Sequence, residues 1–338
     1  MHRRSIAVIM FAVAAAIPAV LAAQAATSGA VPASSLLDQS PAVRVQLSLG
    51  RLHVTNLRLG ANRNVCTERS HGDRVERLSI TAATALPTVH YEMTDSRNRL
   101  SCDISHEQAT IVHRAGDADG KLLLALRQQN HGPVVVNTPS ADTGASSECS
   151  ADSIWHLLLI LPRSDRDRIV DALTIIAPSW RLAELLREIE TDFERQVERQ
   201  PIPDRVAIER LVERLSRREY RERQAADREL RELGPAAIPY LRAVEASDLD
   251  KEQRARIRVM REALNQPVSD GAERVVSWLS TDHGFWLDSL DSIDPARREL
   301  ANRQLVRLGR LSAPVMIDAD PVVRQAQIGK LKRRWGAE

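Results

Sequence analysis

The chain has 338 residues, which is enough for two or three domains of ordinary size. Its 47 lysine and arginine residues nearly balance its 45 acidic residues, so no overall electrostatic field favours nucleic acid or an anionic membrane. We therefore expect no nucleic-acid partner.

The N-terminus has the pattern of a secretory signal peptide. A short basic start is followed by an apolar run from Ile6 to Ala23 and by a small-residue cleavage site that ends at Ala25. The apolar run is also long enough for an uncleaved anchor, but Pro18 and the many alanines favour cleavage. We therefore predict a signal peptide over residues 1–25, export to the periplasm or the extracellular space, and no transmembrane segment after signal cleavage.

A linker and a strand-rich region follow the predicted cleavage site. Residues 26–40 are small and polar, which is typical of a linker. In the region that follows, short apolar runs alternate with polar neighbours, and in the first run Val43, Val45 and Leu47 would share one face of a strand. About six to eight such strands predict a β-rich domain over 41–138, either a sandwich or a small barrel.

The three cysteines, Cys66, Cys102 and Cys149, lie in the first half of the chain. In the oxidising compartment that export implies, one disulfide and one spare thiol is the simplest arrangement. We expect Cys66 to pair with Cys102 because both lie in the strand-rich region. The thiols could instead bind a metal ion, but no C-x-x-C spacing supports this, so we predict no metal and no cofactor.

One short string resembles the catalytic loop of the aspartic proteases, Asp142-Thr143-Gly144. The resemblance implies an aspartate that activates water together with a second aspartate. In that family the loop follows an apolar strand, whereas Pro139 and two small residues precede it here, and the chain has no second copy. We therefore predict no catalytic residue and interpret residues 139–152 as a second linker.

Histidines are the other candidates for chemistry, because seven of them fall in or near the strand-rich region. Zinc needs three or four converging ligands, often at short local spacing, and no such spacing is present. Scattered surface histidines are therefore the simpler interpretation. The seven are His53, His71, His90, His106, His113, His131 and His156.

After the second linker, the apolar spacing changes from that of strands to that of helices. In one of these helices Leu182, Leu186, Ile189 and Phe193 would line one face. We predict a helical segment over 153–200 that caps the helical region behind it.

A helical unit then occurs twice. RQAADRELRELGPAAIPYL, residues 223–241, recurs 75 residues later as RELANRQLVRLGRLSAPVM, residues 298–316. In the first copy a glycine provides a left-handed helix end and Pro235 a fixed φ for the next helix, which predicts a sharp turn between two packed helices. The signature residues are Arg223, Ala226, Leu230, Leu233, Gly234, Pro239, Arg298, Ala301, Leu305, Leu308, Gly309 and Pro314.

The repeated unit resembles a HEAT-type helical repeat. The resemblance rests on the Arg-x-x-Ala-x-x-x-Leu-x-x-Leu-Gly pattern and on the downstream Pro239, and it covers residues 204–338. It implies a stacked helical surface that binds other proteins or spaces domains, and it implies no chemistry. Two copies are fewer than a stable stack usually needs, which is why we expect residues 153–200 to cap them.

Together these features predict an α+β fold: an N-terminal β-sandwich or small β-barrel domain followed by an all-α region with two HEAT-like repeats. We expect a non-enzymatic exported protein that binds or scaffolds an unknown protein partner through the repeats. The alternative is a secreted hydrolase with its site in the β-rich domain. A third possibility is that the β-rich domain binds a glycan or an envelope component while the helices hold it in place. Trp278, Phe285 and Trp286 lie near the join between the repeats and are predicted core residues, with an exposed anchor for a partner as the alternative.

Overall fold

The computed structural model describes residues 34–57, 63–82, 86–117, 119–130, 132–139, 146–200, 202–245, 249, 251–264, 269–311 and 315–335. These residues form a mixed α+β fold in which antiparallel strands are followed by helices. The predicted signal peptide lies outside them. The strands are β1 (Val43–Ser48), β2 (Arg51–Asn56), β3 (Arg63–His71), β4 (Arg74–Ala82), β5 (Thr88–Thr94), β6 (Asn98–Ile104), β7 (Gln108–Ala115), β8 (Leu122–Gln129), β9 (Val134–Pro139) and β10 (Ser146–Ala151).

The strands are arranged as a two-stranded hairpin and an eight-stranded meander. β1 pairs with β2, and β3 to β10 pair in chain order, each with its sequence neighbours. Short turns between the strands favour this order, because antiparallel neighbours need only a tight connection. Among the described strands β3 and β10 pair on one side only, so the large sheet is open and not closed into a barrel.

One face of the large sheet is buried and the other faces solvent. In β4, for example, Leu78 and Ile80 are buried while Arg77 is exposed. The β1–β2 hairpin lies against the buried face, where the Gln128 amide of β8 both donates to the Leu52 carbonyl and accepts the Leu52 N–H, at 2.9 and 2.8 Å. Side chains of the sheet therefore hold the hairpin as well as pack against it.

The predicted disulfide between Cys66 and Cys102 is wrong for this fold. Cys66 on β3 lies opposite Ser79, whose neighbours Leu78 and Ile80 point into the core, so the Cys66 side chain is on the solvent face. Cys102 on β6 is buried, and three strand spacings of about 4.8 Å separate the two strands. A disulfide cannot span that separation, and all three cysteines are free thiols.

The predicted linker over 139–152 contains strand β10, which pairs with β9 along its whole length. The sequence of β10 does not indicate a strand, because its residues are small or polar and only Cys149 and Ala151 are apolar at inward positions. The linker interpretation therefore fails at this end of the sheet.

Eleven α-helices follow the sheet in the described part of the chain, and none of them is both long and apolar enough to cross a bilayer. Their buried faces follow the predicted spacing, as in α3, where Leu182, Leu186, Ile189 and Phe193 are buried. The helices are α1 (Ile154–Ile160), α2 (Arg163–Ile176), α3 (Leu182–Arg199), α4 (Arg205–Arg214), α5 (Tyr220–Glu232), α6 (Ile238–Glu245), α7 (Lys251–Leu264), α8 (Ala272–Thr281), α9 (His283–Ser289), α10 (Pro295–Arg307) and α11 (Pro321–Trp335).

The two sequence copies have matching local structure. α5 and α10 begin and end at positions separated by the same 75 residues as the copies themselves. Arg223 donates to the carbonyls six and five residues before it, at 2.9 and 2.7 Å. Arg298 donates to the carbonyls at the same two positions, at 2.9 and 3.3 Å. The signature residues that are fully buried are Ala226, Leu230, Ala301 and Leu305.

In both copies the chain turns at a glycine after the repeated helix, and beyond that glycine the two copies differ in structure. Gly234 and Gly309 both have a left-handed backbone, with φ of 61° and 65°, a region that favours glycine. In the first copy Pro235 lies in a short 3-10 turn that leads into α6, and Pro239 is the second residue of that helix. In the second copy no described residue is helical between α10 and α11, and Pro314 lies outside the described residues.

The hydrophobic core has two parts. The main core joins the buried face of the sheet, the hairpin, α1–α3 and α8–α11. The satellite core lies within α4–α7. The second sequence copy therefore shares its core with the sheet, whereas the first copy lies mainly in the satellite core and contributes Ile238, at the start of α6, to the main core. The prediction that Trp278, Phe285 and Trp286 are core residues is confirmed, because all three are fully buried.

Candidate functional site

A cleft with a volume of about 510 Å³ runs along strand β1, and we call it the β1 cleft. Its volume lies within the range of about 300–1,000 Å³ that is common for ligand sites. Its walls come from β1, from the residues just before β1, from the turn between α2 and α3, from the start of α3 and from the segment before α8.

Apolar side chains form much of the wall. Val43, Val45 and Leu47, the positions that the sequence predicts on one face of a strand, all line the cleft and are buried. Half-buried Trp180 and Leu185 face them from the turn before α3 and from its second turn. The cleft is therefore suited to apolar groups of a ligand.

Two polar side chains of β1 also line the cleft. Gln46 is only 5% exposed, and its Nε2 has no hydrogen-bond partner among the described residues. A buried donor without a partner costs about 1–3 kcal/mol, but this Nε2 atom is itself enclosed, so a ligand in the cleft does not reach it unless the side chain moves. Arg44 is exposed, and in the described part of the chain it forms no ion pair.

Asp270 closes one end of the cleft and ties three segments together. Its carboxylate accepts hydrogen bonds from the N–H groups of Leu49 and Gly50 and from the Trp155 indole, each at 2.7 Å. Burial raises the pKa of Asp270, and these donors together with Arg274 offset only part of that rise. Because both carboxylate oxygens are occupied, Asp270 anchors the hairpin and does not serve as a free base.

The β1–β2 turn fixes the position of β1. Leu49 and Gly50 both have positive φ, 47° and 63°, as a two-residue type I′ hairpin turn requires. A Cβ atom on Gly50 would lie 2.7 Å from Ser153 Oγ and 2.9 Å from Trp155 Cδ1. The glycine therefore allows the turn to press directly against the start of α1.

The second half of the predicted linker 26–40 forms another wall of the cleft. Asp38 accepts hydrogen bonds from the Ser179 N–H and hydroxyl, at 3.1 and 2.6 Å. Arg69 on β3 donates to the Ser34 carbonyl at 2.8 Å. The segment is thus tied to the sheet on one side and to the turn before α3 on the other.

Arg69 is held in turn by a buried carboxylate, Glu76. Glu76 forms ion pairs with Arg69 and Arg74 and accepts a hydrogen bond from the Tyr91 hydroxyl at 2.6 Å. Burial alone would raise the pKa of Glu76, but hydrogen bonds from Tyr91, Arg74 and Arg69 outweigh burial and lower it. The charges and hydrogen-bonding groups of this network pair with one another. We therefore interpret the network as a support for the wall of the cleft that Arg69 holds in place.

A separate buried cluster contains the residue types of a catalytic triad. Ser153 Oγ lies 2.7 Å from His156 Nδ1, and His156 Nε2 lies 3.5 Å from an Asp282 carboxylate oxygen. All three side chains are buried, and Ser153 is the N-cap of α1. Because the Gly50 backbone packs directly onto Ser153, a substrate has no access to this hydroxyl, and the cluster serves packing and capping.

The histidines of the sequence analysis do not converge. His90 lies 2.6 Å from Asp103 on the solvent face of the sheet, and His113 is buried on the other face. The described residues contain no group of three or more histidine, cysteine, aspartate or glutamate side chains arranged to hold a metal ion. Asp142 and His131 lie outside the described residues.

Neither the repeat signature nor any other candidate from the sequence lines the β1 cleft. Sequence reasoning missed the cleft because its parts are far apart along the chain: the bond from the Leu49 N–H to Asp270 spans 221 residues.

The β1 cleft thus combines apolar side chains, a similar share of polar surface and an exposed guanidinium group. These are properties of a binding site, and they are the basis on which function can be argued. Comparison of the chain with protein-family models, curated proteins and solved structures gave no match.

Proposed function

We propose that the protein is an exported, non-enzymatic protein-binding protein that holds part of its partner in the β1 cleft, with HEAT-like repeats as the supporting frame. The observation that carries the proposal is the β1 cleft itself, which has a volume of about 510 Å³ and is lined by apolar and polar surface in similar measure. Ligand sites commonly have volumes of this size and combine apolar walls with polar groups that fix the orientation of the ligand.

The matching geometry of the two copies supports the HEAT-like part of the proposal. α5 and α10 share their bounds, their arginine hydrogen bonds and a left-handed glycine at the end. Arg307 of α10 donates to the Val197 carbonyl near the end of α3 at 3.1 Å, which supports a capping role for residues 153–200. In this arrangement the repeats position Asp270, and through it the hairpin.

The repeats also offer a second surface for a partner. Ile293, Met316 and Val322 are 80%, 68% and 73% exposed. Arg298 bonds to the carbonyls of Ile293 and Ile317, which brings the first two of these segments side by side. Clustered exposed apolar side chains commonly mark interaction surfaces, so this patch is the place where the repeats themselves would bind.

The hydrolase alternative has its best support in Ser153, His156 and Asp282. Hydrolysis would require the Ser153 hydroxyl to reach a substrate, and the burial of all three side chains opposes this. If the alternative held, Ser153→Ala would abolish a hydrolytic activity of the purified protein against ester or peptide substrates.

Co-purification from an envelope fraction tests the binding proposal. The bait is residues 26–338 and not a shortened chain, because α8–α11 share the main core with the sheet. In the test variant, Leu57→Lys places a charge at the cleft on a side chain that is 45% exposed. In the matched control, Val206→Lys changes a side chain on α4 that is 48% exposed.

We expect the unchanged bait and Val206→Lys to recover the same partner and Leu57→Lys to lose it. A partner that Leu57→Lys retains, but that Ile293→Ser with Met316→Ser loses, would move binding to the repeat surface. If no bait recovers a partner above background, the binding proposal is wrong.

A further inference from the structure

The outer backbone edge of β1 opens into the cleft. In an antiparallel pair, positions alternate between those that bond to the neighbouring strand and those that point away from it. The Leu57 N–H donates to the Ala42 carbonyl at 2.9 Å, which sets this alternation for the hairpin. It places Val43, Val45 and Leu47 on the outer side, with their N–H and carbonyl groups pointing away from β2.

Only the ends of this outer edge are satisfied. The Asp270 N–H donates to the Leu47 carbonyl at 3.0 Å, and the Val43 N–H makes a long bond of 3.4 Å to the Ser40 hydroxyl. No described residue bonds to the N–H or the carbonyl of Val45, although this residue is buried. Because Asp270 and Ser40 line the cleft, the unpaired centre of the edge faces the cleft between them.

The other edge of the same hairpin is complete at the corresponding position. Leu52 lies opposite Leu47, and the Gln128 side chain satisfies both its N–H and its carbonyl. Buried backbone groups are almost always paired, so Val45 on the β1 edge requires a partner from outside the described fold.

We propose that the β1 cleft receives an extended segment of a partner polypeptide as an added strand on β1, apolar at alternate positions and with a carboxylate opposite Arg44. The proposal rests on the protein-binding function above and names the form of the ligand. In strand addition the main-chain hydrogen bonds give affinity, and pockets for alternate side chains give specificity.

The cleft has the chemistry for each part of such a segment. Trp180 and Leu185 face β1 and would contact alternate apolar side chains. Arg44 is exposed and forms no ion pair with any described residue, so its guanidinium group can pair with a carboxylate on the segment. An acidic residue on the segment is therefore the complementary charge.

A second folded copy of this chain is a poorer occupant than an extended segment. Its own β1 would have to leave the walls that enclose it, since Val43, Val45 and Leu47 are all buried. Its edge strands β3 and β10 are each joined to the rest of the large sheet, which a cleft of about 510 Å³ cannot admit. A single extended strand needs no such opening of the partner and can enter between β1 and the start of α3.

The test uses the mature chain, residues 26–338, and the capped hexapeptide acetyl-Val-Thr-Val-Glu-Val-Thr-amide as the probe. In the free protein we expect the Val45 and Leu47 amides to exchange with solvent faster than those of Arg44 and Gln46, which pair with β2. Bound peptide should slow the exchange of the Val45 and Leu47 amides at least tenfold, as measured by NMR.

Two N-methylated peptides test the backbone bonds directly. One carries the methyl groups on its valines and the other on the remaining three residues, so only one of them blocks the N–H groups that face β1. We expect that peptide to bind at least about tenfold more weakly and its isomer to bind as the parent does. Val45→Pro, which removes the outer N–H and leaves the bonds to β2, should weaken the parent by a similar factor.

Charge is tested with Arg44, an exposed residue whose change leaves the core intact. Replacing the glutamate of the peptide with lysine should weaken binding about threefold, and Arg44→Glu should reverse the preference. The proposal is overturned if millimolar peptide gives no protection at Val45 and Leu47, or if both N-methyl isomers bind alike. If either result occurs while Leu57→Lys still loses the partner, protein binding stands and strand addition falls.

Discussion

Among single residues, Gly50 has the clearest structural reason for its identity. Its left-handed φ of 63° and its close approach to Ser153 and Trp155 both exclude a side chain. Gly72, in the β3–β4 turn, has nearly the same φ of 60°, but a Cβ there would meet no atom within 4 Å. Comparing substitutions at the two glycines therefore separates the energetic cost of backbone strain from that of steric contact.

We predict that Gly72→Ala lowers the free energy of unfolding by about 1 kcal/mol, from backbone strain alone. Gly50→Ala should cost at least about 2 kcal/mol more, because the added Cβ forces the hairpin away from α1. Chemical denaturation of both variants checks this. Equal losses would mean that the contact between Gly50 and Ser153 does not constrain the hairpin.

The buried Asp282 predicts a specific dependence of stability on pH. Burial alone would raise the pKa of Asp282, but its interactions with His156, the charge of Arg242 and the Phe285 N–H lower it well below its usual range. A carboxyl whose pKa is lower in the folded state stabilises the fold above its unfolded pKa of about 3.9. That contribution is lost as the pH falls below this value.

We expect Asp282→Asn to lower the free energy of unfolding at pH 7 by about 2 kcal/mol, because it removes a buried charged acceptor. Between pH 5 and pH 2 its stability should fall less steeply than that of the wild type. Asp294→Asn is the control, because Asp294 is an exposed N-cap and asparagine caps equally well. Parallel acid profiles for Asp282→Asn and the wild type would contradict the assignment.

At the scale of elements, the sequence predicts strands that bury one face better than strands whose side chains are mostly exposed. β5 and β6 alternate cleanly, with Val89, Tyr91 and Met93 buried, and so they are recognisable from the sequence. β3 and β10 lie at the edges of the sheet, where side chains are less buried, so selection for apolar residues is weak and no alternation develops. Register, and with it the failure of the Cys66–Cys102 pairing, depends on these unrecognised strands.

The hydrogen bonds of Arg223 and Arg298 predict how much each arginine stabilises its copy of the repeated helix. Arg298 donates to three carbonyls, including that of Ile317, whereas Arg223 donates to two. Lysine cannot reproduce a branched set of donors, so Arg298→Lys should cost about 1–2 kcal/mol of unfolding free energy and Arg223→Lys somewhat less. Arg303→Lys, which changes an exposed ion-paired residue on α10, should cost less than about 0.5 kcal/mol.

Thermal and chemical unfolding of the three variants measure these costs. If Arg223→Lys and Arg298→Lys behave like Arg303→Lys, the shared hydrogen-bond pattern does not stabilise the turns before α5 and α10. If only one of the pair is costly, the two copies are alike in geometry but not in energetics.

For the whole molecule, the sequence identifies the repeated unit but not the division of the core. Leu230 and Leu305 occupy the same position in the two copies and are equally buried, yet they belong to the satellite core and the main core respectively. The sequence around each leucine does not indicate which core it joins, because that depends on contacts with the sheet and with α1–α3. The β1 cleft was hidden for the same reason: its walls meet only after distant segments have packed.

This division predicts different consequences for equivalent substitutions. Leu→Ala in a core typically costs about 2–5 kcal/mol. Leu305→Ala should lower the hydrogen-exchange protection of the sheet, for example at Ile111 and Leu126, together with that of α8–α11, because all of them share the main core. Leu230→Ala should lower protection in α4–α7 and leave those sheet amides unchanged, because the satellite core can loosen alone. Native-state exchange read residue by residue distinguishes the two, and a uniform loss of protection in both variants would show that the repeats and the sheet unfold as one unit.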